Sequence, residues 1–585
     1  MKSIYLITPY FKENRFFILL GLVTLIIVDF LQLFIPRIIK WVIDDLTAFS
    51  MDHHQLLFYG LYIAAIAVLI AILRYIWRYC LIGTSRRIEE GLRNRLFSHI
   101  QHLSASYFIQ MKTGDLMAHA TNDINHIRMA SGMGLVAITD ALVLGSAAIG
   151  FMMYINIKLT MLALIPMPCI IVGSQFFGRR MHKRYQDVQG AFADMTEMIR
   201  ERFAGIRIIK AYNQEKNERD RVDLISRTYI KNNIRLVKIT ASFFPMMLLF
   251  SNISLVIIIL MGGRLTITST ITAGDFVAFI NYLGLLTWPM MAMGWLTNLI
   301  QRGAASLDRI NRILETKPDI KTSLKPASVS PFRGEIFFKN VHFSYTAPSR
   351  PVLLDINLHI KAGMTLGIIG PPGSGKTTLL NLLPRLYDVN HGQILIDGID
   401  IRKFCLEDLR SQLSFVPQEP FLFAGTIQDN IAFGRKTNDH KDFIKAVKSA
   451  VLLPTIDSFP DKFETIVGEK GVILSGGQKQ RIGIARALFS DAPVLILDDP
   501  VSQVDAETSR QLIETFKAWS GLKTIIIVSH RLSAVRFADQ IIVMKEGRIV
   551  SSGCHETLIQ PSPNDDDYYA QTFRLQEIEE KYHAL

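Results

Sequence analysis

A glycine-rich run ending in a lysine and two threonines is the clearest chemical signal in the chain. The apolar segment TLGIIG leads directly into GPPGSGKTT at residues 370–378. Glycines let backbone N–H groups wrap phosphates, the lysine meets the β and γ charges, and the next hydroxyl can bind Mg²⁺. The alternative is a chance glycine-rich turn, but the strand-to-helix position predicts a phosphate-binding loop (P-loop). The residues expected to contact the nucleotide are Gly370, Pro371, Pro372, Gly373, Ser374, Gly375, Lys376, Thr377 and Thr378.

Two further motifs follow the P-loop in the sequence. VLILDD fits a buried parallel strand that ends in Asp498, whose carboxylate can hold the Mg²⁺ shell beside Thr377. LSGGQKQRIGIARAL places Ser475, Gly476 and Gly477 just before a helix, where free N–H groups and the positive helix end attract phosphate. The alternative for the second motif is an ordinary helix cap.

These three motifs, in this order, resemble the ATPase domain of ABC transporters, and the chain resembles those transporters over nearly its whole length. The resemblance implies that two such domains sandwich two ATP molecules. Each ATP would contact the P-loop of one chain and LSGGQ of the other, including Ser475 to Gln478 here. A chain with one copy of each motif therefore implies a dimer, with ATP and Mg²⁺ as cofactors.

The resemblance also gives roles to single residues elsewhere in the domain. Tyr345 in VHFSY would stack on adenine, Gln418 in FVPQEP would contact Mg²⁺ and the attacking water, and His530 in IIIVSH would contact the γ-phosphate. The alternatives are a strand aromatic, a turn residue and a structural histidine. Glu469 in TIVGEKG resembles an exporter-specific loop that senses the opposite subunit, and SQVD at Ser502–Asp505 departs from the usual SALD.

Asp499 is the informative departure, because relatives normally carry a glutamate here that orients or activates the attacking water. Aspartate is one methylene shorter, and a general base must lie within about 2.6–3.2 Å of the proton it takes. A misplacement of about 1 Å can cost on the order of a hundredfold in rate. We expect Asp499 to act in catalysis together with Gln418 and His530. ATP hydrolysis at this chain's own P-loop should be slow unless the neighbouring backbone shifts to compensate for the shorter side chain. Bacterial exporters made of two different halves often pair such a chain with one bearing the glutamate.

The apolar runs in the first half of the chain predict that it is embedded in a membrane. The chain has 585 residues, of which 49% are apolar and 20% charged. A membrane-spanning helix needs about 20 mainly apolar residues. Six such runs predict six spans, at about 16–36, 57–80, 133–155, 158–178, 241–263 and 274–300.

Basic residues orient these predicted spans. Arg86, Arg87, Arg93 and Arg95 follow the second span, and Arg179, Arg180, Lys183 and Arg184 follow the fourth, so those loops face the cytosol. The basic residues behind the net charge of +12 are dispersed rather than gathered into blocks, which argues against a nucleic-acid-binding protein. The four cysteines are far apart, which fits a reduced, cytosol-facing protein. No cleavage site follows the first apolar run, so that run should be a retained helix. We expect a bacterial plasma-membrane protein whose N-terminus and ATPase domain lie in the cytosol.

The long cytosolic stretches suggest how the two halves communicate. Residues 81–132 and 179–240 are charged and helix-compatible, and Thr113–Asp123 and Gly205–Glu215 resemble the coupling segments of ABC exporters. The alternative is an exposed charged helix. The expected organisation is a six-helix, all-α transmembrane domain at 1–310 with long cytosolic extensions, a linker at 311–333, and an α/β P-loop ABC ATPase domain at 334–585.

The resemblance implies ATP-driven export of drugs or lipids by alternating access, as one half of a heterodimer. The alternatives are a homodimeric exporter and an ATP-gated channel or regulatory half that does not pump. A peptide exporter would often carry a protease domain before the first span, which begins here after about 15 residues. Asp29 and Asp140 lie in apolar spans and are candidate contacts for a cationic, amphipathic substrate. The alternative is that they pair with Arg74 or Arg78 or lie near an interface.

Overall fold

The computed structural model describes residues 2–322, 326–327, 332–345, 351–435, 440–468, 471, 474–560 and 568–583. They divide into two units. The first comprises Met1–His102 and Met111–Lys317, and the second comprises Leu103–Gln110 and Pro318–Leu585. The division after Lys317 falls inside the segment predicted as a linker, whose own limits stay a prediction.

The N-terminal part of the chain is entirely helical. Its α-helices are α1 Thr8–Glu13, α2 Arg15–Thr47, α3 His53–Trp77, α4 Gly83–His102, α5 Ala105–Gln110, α6 Thr113–Ala118, α7 Ile124–Ser131, α8 Met133–Ile155, α9 Ile157–Leu164, α10 Met167–Ala204, α11 Ile206–Ala211, α12 Glu215–Ile257, α13 Gly263–Ile267 and α14 Ala273–Glu315. Three short π-helical turns join consecutive α-helices, so the chain stays helical through them. They are Arg78–Ile82, His119–Asp123 and Ile258–Gly262. A 3-10 turn covers Lys2–Leu6.

Six helical segments of the described residues are long and apolar enough to cross a membrane. They are Arg15–Thr47, His53–His102, Thr113–Ile155, Ile157–Ala204, Glu215–Ile267 and Ala273–Glu315. This confirms the predicted six-span fold class. The helices run well past the predicted limits, because the last one alone has 43 residues. At 1.5 Å per residue it is about 65 Å long, roughly twice the thickness of the hydrocarbon layer.

Three of these helices, α2, α8 and α14, share an apolar core. Phe151 stacks on Tyr282 with ring centroids 5.5 Å apart, and the Tyr282 hydroxyl donates to the Leu33 carbonyl at 3.1 Å. At the outer ends, the Lys40 ammonium lies 2.5 Å from Asp275, and Asp44 accepts from the Gly274 N–H at 2.8 Å. The first and sixth spans are therefore joined at both of these levels.

A buried carboxylate links the first predicted coupling segment to α14. Asp123 is 5% exposed and ends the π turn after α6. Arg309 donates to both of its oxygens, Nε at 2.9 Å, while Ser306 Oγ donates at 2.8 Å and His119 Nδ1 lies at 2.6 Å. Such charge-assisted bonds fix the geometry of the two segments they join.

The second unit is mixed α/β. Its strands are β1 Ile336–Phe343, β2 Leu353–Ile360, β3 Thr365–Ile369, β4 His391–Ile396, β5 Ile399–Asp400, β6 Leu413–Val416, β7 Gly425–Thr426, β8 Ile466–Val467, β9 Val494–Asp498, β10 Thr524–Val528, β11 Gln540–Lys545 and β12 Arg548–Gly553. Its remaining helices are α15 Lys376–Leu382, α16 Leu406–Ser411, α17 Ile427–Ala432, α18 His440–Ser449, α19 Leu453–Asp457, α20 Gly476–Phe489, α21 Ala506–Trp519, α22 His555–Leu558 and α23 Tyr568–His583.

Two larger sheets carry the second unit, and β7 and β8 pair as a separate two-stranded sheet. One has the strand order β12-β11-β3-β10-β9-β6, with β11, β3, β10, β9 and β6 parallel, and the other is an antiparallel sheet of order β2-β1-β4-β5. Strands β3, β9 and β10 are buried at every position, as expected for parallel strands covered on both faces. This confirms the predicted α/β class.

Helix α5 groups with the second unit although it lies between two transmembrane spans in sequence. Ser104 Oγ accepts from the Ile320 N–H at 3.0 Å, and Ser106 Oγ donates to Asp319 at 2.5 Å. These contacts with residues just after α14 explain the grouping, which the sequence did not suggest.

We expect Asp123→Ala to destabilise the transmembrane unit by about 1–3 kcal/mol, because it leaves Arg309 and Ser306 without their shared acceptor. The measurement is the apparent melting temperature of the purified protein in lipid nanodiscs. Asp115→Ala serves as the control, since Asp115 lies eight positions earlier in the same segment with an exposed side chain. Equal melting temperatures for the two variants would contradict the structural role of Asp123.

Candidate nucleotide-binding site

Parallel strands bring the sequence-predicted site residues to one edge of the large sheet. Val528 pairs with both Ile368 and Asp498, and Val416 pairs with Leu497, so the loops after β3, β6, β9 and β10 meet. They enclose a pocket of about 320 Å³. Its lining residues are Val352, Pro372, Gly373, Ser374, Gly375, Lys376, Thr377, Thr378, Gln418, Asp498, Asp499, Val528 and His530.

The P-loop connects β3 directly to α15. Gly370 has φ +152°, and a Cβ there would come within 2.1 Å of the Met544 carbonyl oxygen, so only glycine fits. Lys376 begins α15 and is 6% exposed. Its Nζ donates to the carbonyls of Gly370 at 2.8 Å and Pro371 at 2.9 Å. The lysine thus closes over its own loop and lines the pocket.

Burial shapes the electrostatics of this pocket. Desolvation lowers the pKa of Lys376, while the carboxylates of Asp498 and Asp499 oppose that shift. Desolvation also raises the pKa of Asp498, against the hydrogen bond from Thr377. Both groups lie in a poorly solvated pocket. The charged form of each is therefore stabilised by the opposite charge of the other and by any further opposite charge that enters the pocket.

The pocket suits a nucleotide phosphate with Mg²⁺. Thr377 Oγ1 donates to Asp498 Oδ2 at 2.8 Å, which holds together two hard oxygen ligands of the kind Mg²⁺ prefers. Gln418 lines the same pocket and could add a third. The described residues contain no cluster of three or more His, Cys, Asp or Glu that could hold a metal unaided. Mg²⁺ here would therefore rely on phosphate oxygens as well.

Asp499 lines the pocket and is also bonded to the end of β10. It is 5% exposed, has φ +49°, and its N–H donates to the Val528 carbonyl at 2.8 Å. Ser529 Oγ donates to Asp499 Oδ1 at 3.1 Å. One carboxylate oxygen is thus tied to the end of β10, which restricts the reach of a side chain that is already short.

Gln418 and His530 stand exposed at the pocket rim, after β6 and β10 respectively. The His530 segment is held by a residue that the sequence reasoning missed. Gln576 of α23 donates through Nε2 to the His530 carbonyl at 2.7 Å and accepts from the Leu532 N–H at 2.9 Å. The sequence lacked a signal for this contact, because 46 positions separate Gln576 from His530.

Tyr345 lies beside the P-loop helix rather than in the pocket lining. Its hydroxyl is 3.0 Å from Thr378 Oγ1, and its ring packs edge-on against Phe343 and Tyr387 with centroids 5.0 and 5.2 Å away. The side chain is 40% exposed, which leaves part of the ring accessible to a base. Its predicted stacking on adenine stays a prediction.

The LSGGQ residues form a complete capping box at the start of α20. Ser475 Oγ accepts from the Gln478 N–H at 3.3 Å, and Gln478 Oε1 accepts from the Ser475 N–H at 2.9 Å. Gly477 is tightly fitted, since a Cβ there would come within 2.7 Å of the Gln503 carbonyl oxygen. Ser475 and Gly476 are exposed, and these four residues do not line this chain's P-loop pocket.

The SQVD loop supports the LSGGQ turn. The Gln503 backbone packs against Gly477. Ser502 Oγ donates to the Asp499 carbonyl at 3.0 Å. Asp505 caps α21 by accepting from the Thr508 N–H at 2.9 Å. That backbone bond lowers the pKa of Asp505. The loop therefore connects Asp499 to the signature glycines within one chain. Glu469 of the predicted exporter-specific loop lies outside the described residues.

Comparison with known proteins agrees with this arrangement. The family description "ABC transporter transmembrane region" matches residues 18–290, and "ABC transporter" matches residues 353–502. The chain is similar to the multidrug resistance-like ATP-binding protein MdlA of Buchnera aphidicola subsp. Schizaphis graminum (strain Sg), at 37% identity over 96% of both chains. It is 35% identical to the ATP-dependent lipid A-core flippase of Syntrophus aciditrophicus (strain SB), over 81% of this chain and 78% of the relative.

A solved structure has the same architecture. The ATP-bound structure of a bacterial Atm1-family ABC exporter superposes with a TM-score of 0.76 at 25% identity, covering 97% of this chain and 99% of that one. Sequence families, curated relatives and fold agree with each other. The chain therefore belongs to the ABC transporter family, as an exporter-type, multi-pass inner-membrane protein whose α/β domain binds ATP.

Proposed function

We propose that this ATP-hydrolysing transporter exports hydrophobic or amphipathic compounds, drugs or lipids, by alternating access as one half of a heterodimer. Two of its relatives, a multidrug resistance-like protein and a lipid A-core flippase, support that range of substrates by their names. The observation that carries the heterodimer is Asp499, which stands where the family resemblance implies a glutamate. The site built on Lys376 would bind ATP with Mg²⁺ and turn over slowly.

The contacts of Asp499 support slow hydrolysis at this chain's own P-loop. Its Oδ1 accepts the Ser529 hydroxyl at 3.1 Å, and its carbonyl accepts from Ser502 and Gln480. With its N–H also donated to the Val528 carbonyl, both backbone polar groups of Asp499 are held, so the backbone cannot move easily to compensate for the missing methylene. The compensating shift considered from the sequence would have to break some of these bonds.

The LSGGQ turn supports the other part of the proposal. Ser475 and Gly477 lie in the turn that the Ser475–Gln478 capping box closes, and neither lines the P-loop pocket of the same chain. A partner that supplies its own P-loop and a glutamate could complete an efficient composite site with them. Hydrolysis there would reset the cycle, while ATP at Lys376 mainly holds the dimer closed.

The two cytosolic segments would carry closure of the ATPase dimer to the membrane. Helix α6 and its π turn connect through Asp123 to α14, and the six-residue helix α11 stands between the long helices α10 and α12. We propose that Thr113–Asp123 and Gly205–Glu215 are the coupling segments.

A channel or regulatory half would share these features, but it would not accumulate substrate in inside-out vesicles containing both halves and ATP.

Asp499→Glu should raise the ATPase rate of the purified chain in lipid, on the order of tenfold or more, because the longer carboxylate reaches the attacking water. Asp499→Asn should leave the low rate nearly unchanged. The measurement is phosphate release at saturating ATP. Brisk hydrolysis by the unaltered chain that Asp499→Asn abolishes would instead show a self-sufficient homodimer.

Ser475→Ala and Lys376→Met should separate the two composite sites when the chain is assembled with a glutamate-bearing half. Ser475→Ala should reduce turnover strongly, because it weakens the turn facing the partner's ATP. Lys376→Met should mainly reduce the ATP retained per complex. Phosphate release and retained nucleotide after rapid filtration report the two quantities.

Thr426→Ala is the matched control for that comparison. Thr426 forms an equivalent capping box with Asp429 at the start of α17, so its loss costs a similar ~1 kcal/mol of helix stability without touching LSGGQ. If Lys376→Met abolished turnover while Ser475→Ala behaved like Thr426→Ala, the assignment of slow and fast sites would be reversed.

A further inference from the structure

A large cavity opens between the first, second and sixth membrane-spanning segments. Its volume is about 930 Å³, which is at the upper end of the usual range for small-molecule sites. Helix α2 contributes Gln32, Ile35 and Pro36, and α14 contributes a short stretch around Asn281. The second segment provides the remaining wall, from Ala67 to Arg78.

The charged groups in the wall are both cationic. Arg74 and Arg78 are four residues apart, so they share one face of the helix, and both side chains are exposed to the cavity. Neither forms an ion pair within the part of the chain that the structure describes. A guanidinium in a membrane span is costly unless it faces a cavity or a counter-charge, and it marks a functional site by default.

The two membrane aspartates stand outside this wall. Asp29 is 2% exposed, and neither Asp29 nor Asp140 lines the cavity. Arg74 is near enough to interact electrostatically with both, without an ion pair. Because neither carboxylate lines the cavity, both are badly placed to receive a cationic substrate there. Arg78, whose guanidinium lies 5.6 Å from the centroid of the Trp77 ring, has no carboxylate partner among the described residues.

The position of Arg78 adds a direction. It begins a π-helical turn, Arg78–Ile82, and such turns are frequent at functional sites. It also comes at the cytosolic end of the apolar run, just before the Arg-rich sequence. The deeper wall, with Ile35, Ile70 and Leu285, is apolar. Polar recognition thus sits toward the inner leaflet and apolar contact toward the middle of the membrane.

We propose that this cavity binds an amphipathic substrate with an anionic head, a phosphate or carboxylate, against Arg78 and Arg74, with its apolar part between α2, α3 and α14. This names the substrate class of the exporter proposed above and rests on that function. The head group could belong to a membrane lipid or to a water-soluble amphipathic anion, because the chemistry of recognition is the same for both.

The test uses two photoreactive probes with the same alkyl chain, a diazirine-bearing dodecyl phosphate and its dodecyltrimethylammonium counterpart. The purified full-length chain in zwitterionic nanodiscs is labelled without nucleotide, and the labelled peptides are identified. The phosphate probe should label the cavity wall, and Arg78→Gln should lower that labelling about tenfold. Arg78→Lys should restore most of it, which separates loss of charge from misfolding.

Arg95→Gln is the control, since Arg95 is an exposed arginine on the cytosolic continuation of the same segment. Competition by phosphatidylglycerol placed in the bilayer would assign the site to lipid, and competition only by soluble alkyl phosphate would assign it to free anions. Equal labelling by the ammonium probe, or no effect of Arg78→Gln, would overturn the proposal. Labelling without ATP tests the cavity even if the chain proves not to pump.

A separate observation concerns the loop that carries His530. The side-chain amide of Gln576 bridges the His530 carbonyl and the Leu532 N–H. Its helix, α23, is anchored by buried Tyr569, whose hydroxyl lies 2.6 Å from Nδ1 of buried His555. Desolvation lowers the pKa of His555, which favours the neutral ring at this contact. The bridge therefore rests on a rigid part of the domain.

We infer that Gln576 is a positioning residue that holds the His530 loop where it meets the terminal phosphate of ATP. This rests on the role proposed for His530. Gln576→Ala should weaken ATP binding to the purified chain about tenfold and leave ADP binding nearly unchanged, because only ATP carries the γ-phosphate. Gln576→Glu, which keeps the acceptor for Leu532 but loses the donor to His530, should fall between.

The control is Gln571→Ala, a glutamine on the same helix with an exposed side chain. Equilibrium binding of both nucleotides is measured for each variant. A loss of ATP and ADP affinity in equal proportion would mean that Gln576 only supports the fold, and the inference would be wrong. Unchanged binding of both nucleotides would be equally contrary to it.

Discussion

The alignment of parallel strands at one edge of the large sheet is the constraint on which the ATPase unit depends. Strands β3, β9 and β10 are buried throughout, so their side chains pack and only their carboxyl ends are free to carry polar groups. The register places the P-loop, Asp498, Asp499 and His530 side by side. A shift of one residue in any strand would exchange polar and apolar positions at this edge and remove the site.

The membrane half obeys a different constraint, because lipid offers no partners to backbone N–H and C=O groups. Long helices satisfy those groups internally, and here they continue beyond the apolar layer without a break. A polar side chain in such a helix is stabilised where it finds a partner, as the Tyr282 hydroxyl does at the Leu33 carbonyl. Arg78 contacts the Trp77 ring but has no carboxylate partner among the described residues, and it lines a cavity instead.

Much of the fold and part of the site could be predicted from the sequence. The six apolar runs indicated the spans, since burying such runs in lipid needs only composition and length. GPPGSGKTT, LSGGQ and VLILDD indicated the candidate site residues, because each motif combines a special backbone or burial demand with groups that suit phosphate or Mg²⁺. The sequence could not show the Ser529–Asp499 bond, the Gln576 bridge or the grouping of α5. Those contacts join residues whose types are common and whose separations carry no periodic signal.

Helix α14 runs without a break from its capping box at Thr272 to Glu315, with Pro289 inside it. Proline removes one backbone hydrogen bond and so creates a compliant point in an otherwise stiff rod. The part beyond Pro289 is about 39 Å long at 1.5 Å per residue, so a bend of about 10° there displaces its tip by roughly 7 Å. A small change of angle at Pro289, inside the predicted span, would therefore produce a much larger displacement at the far end of the helix.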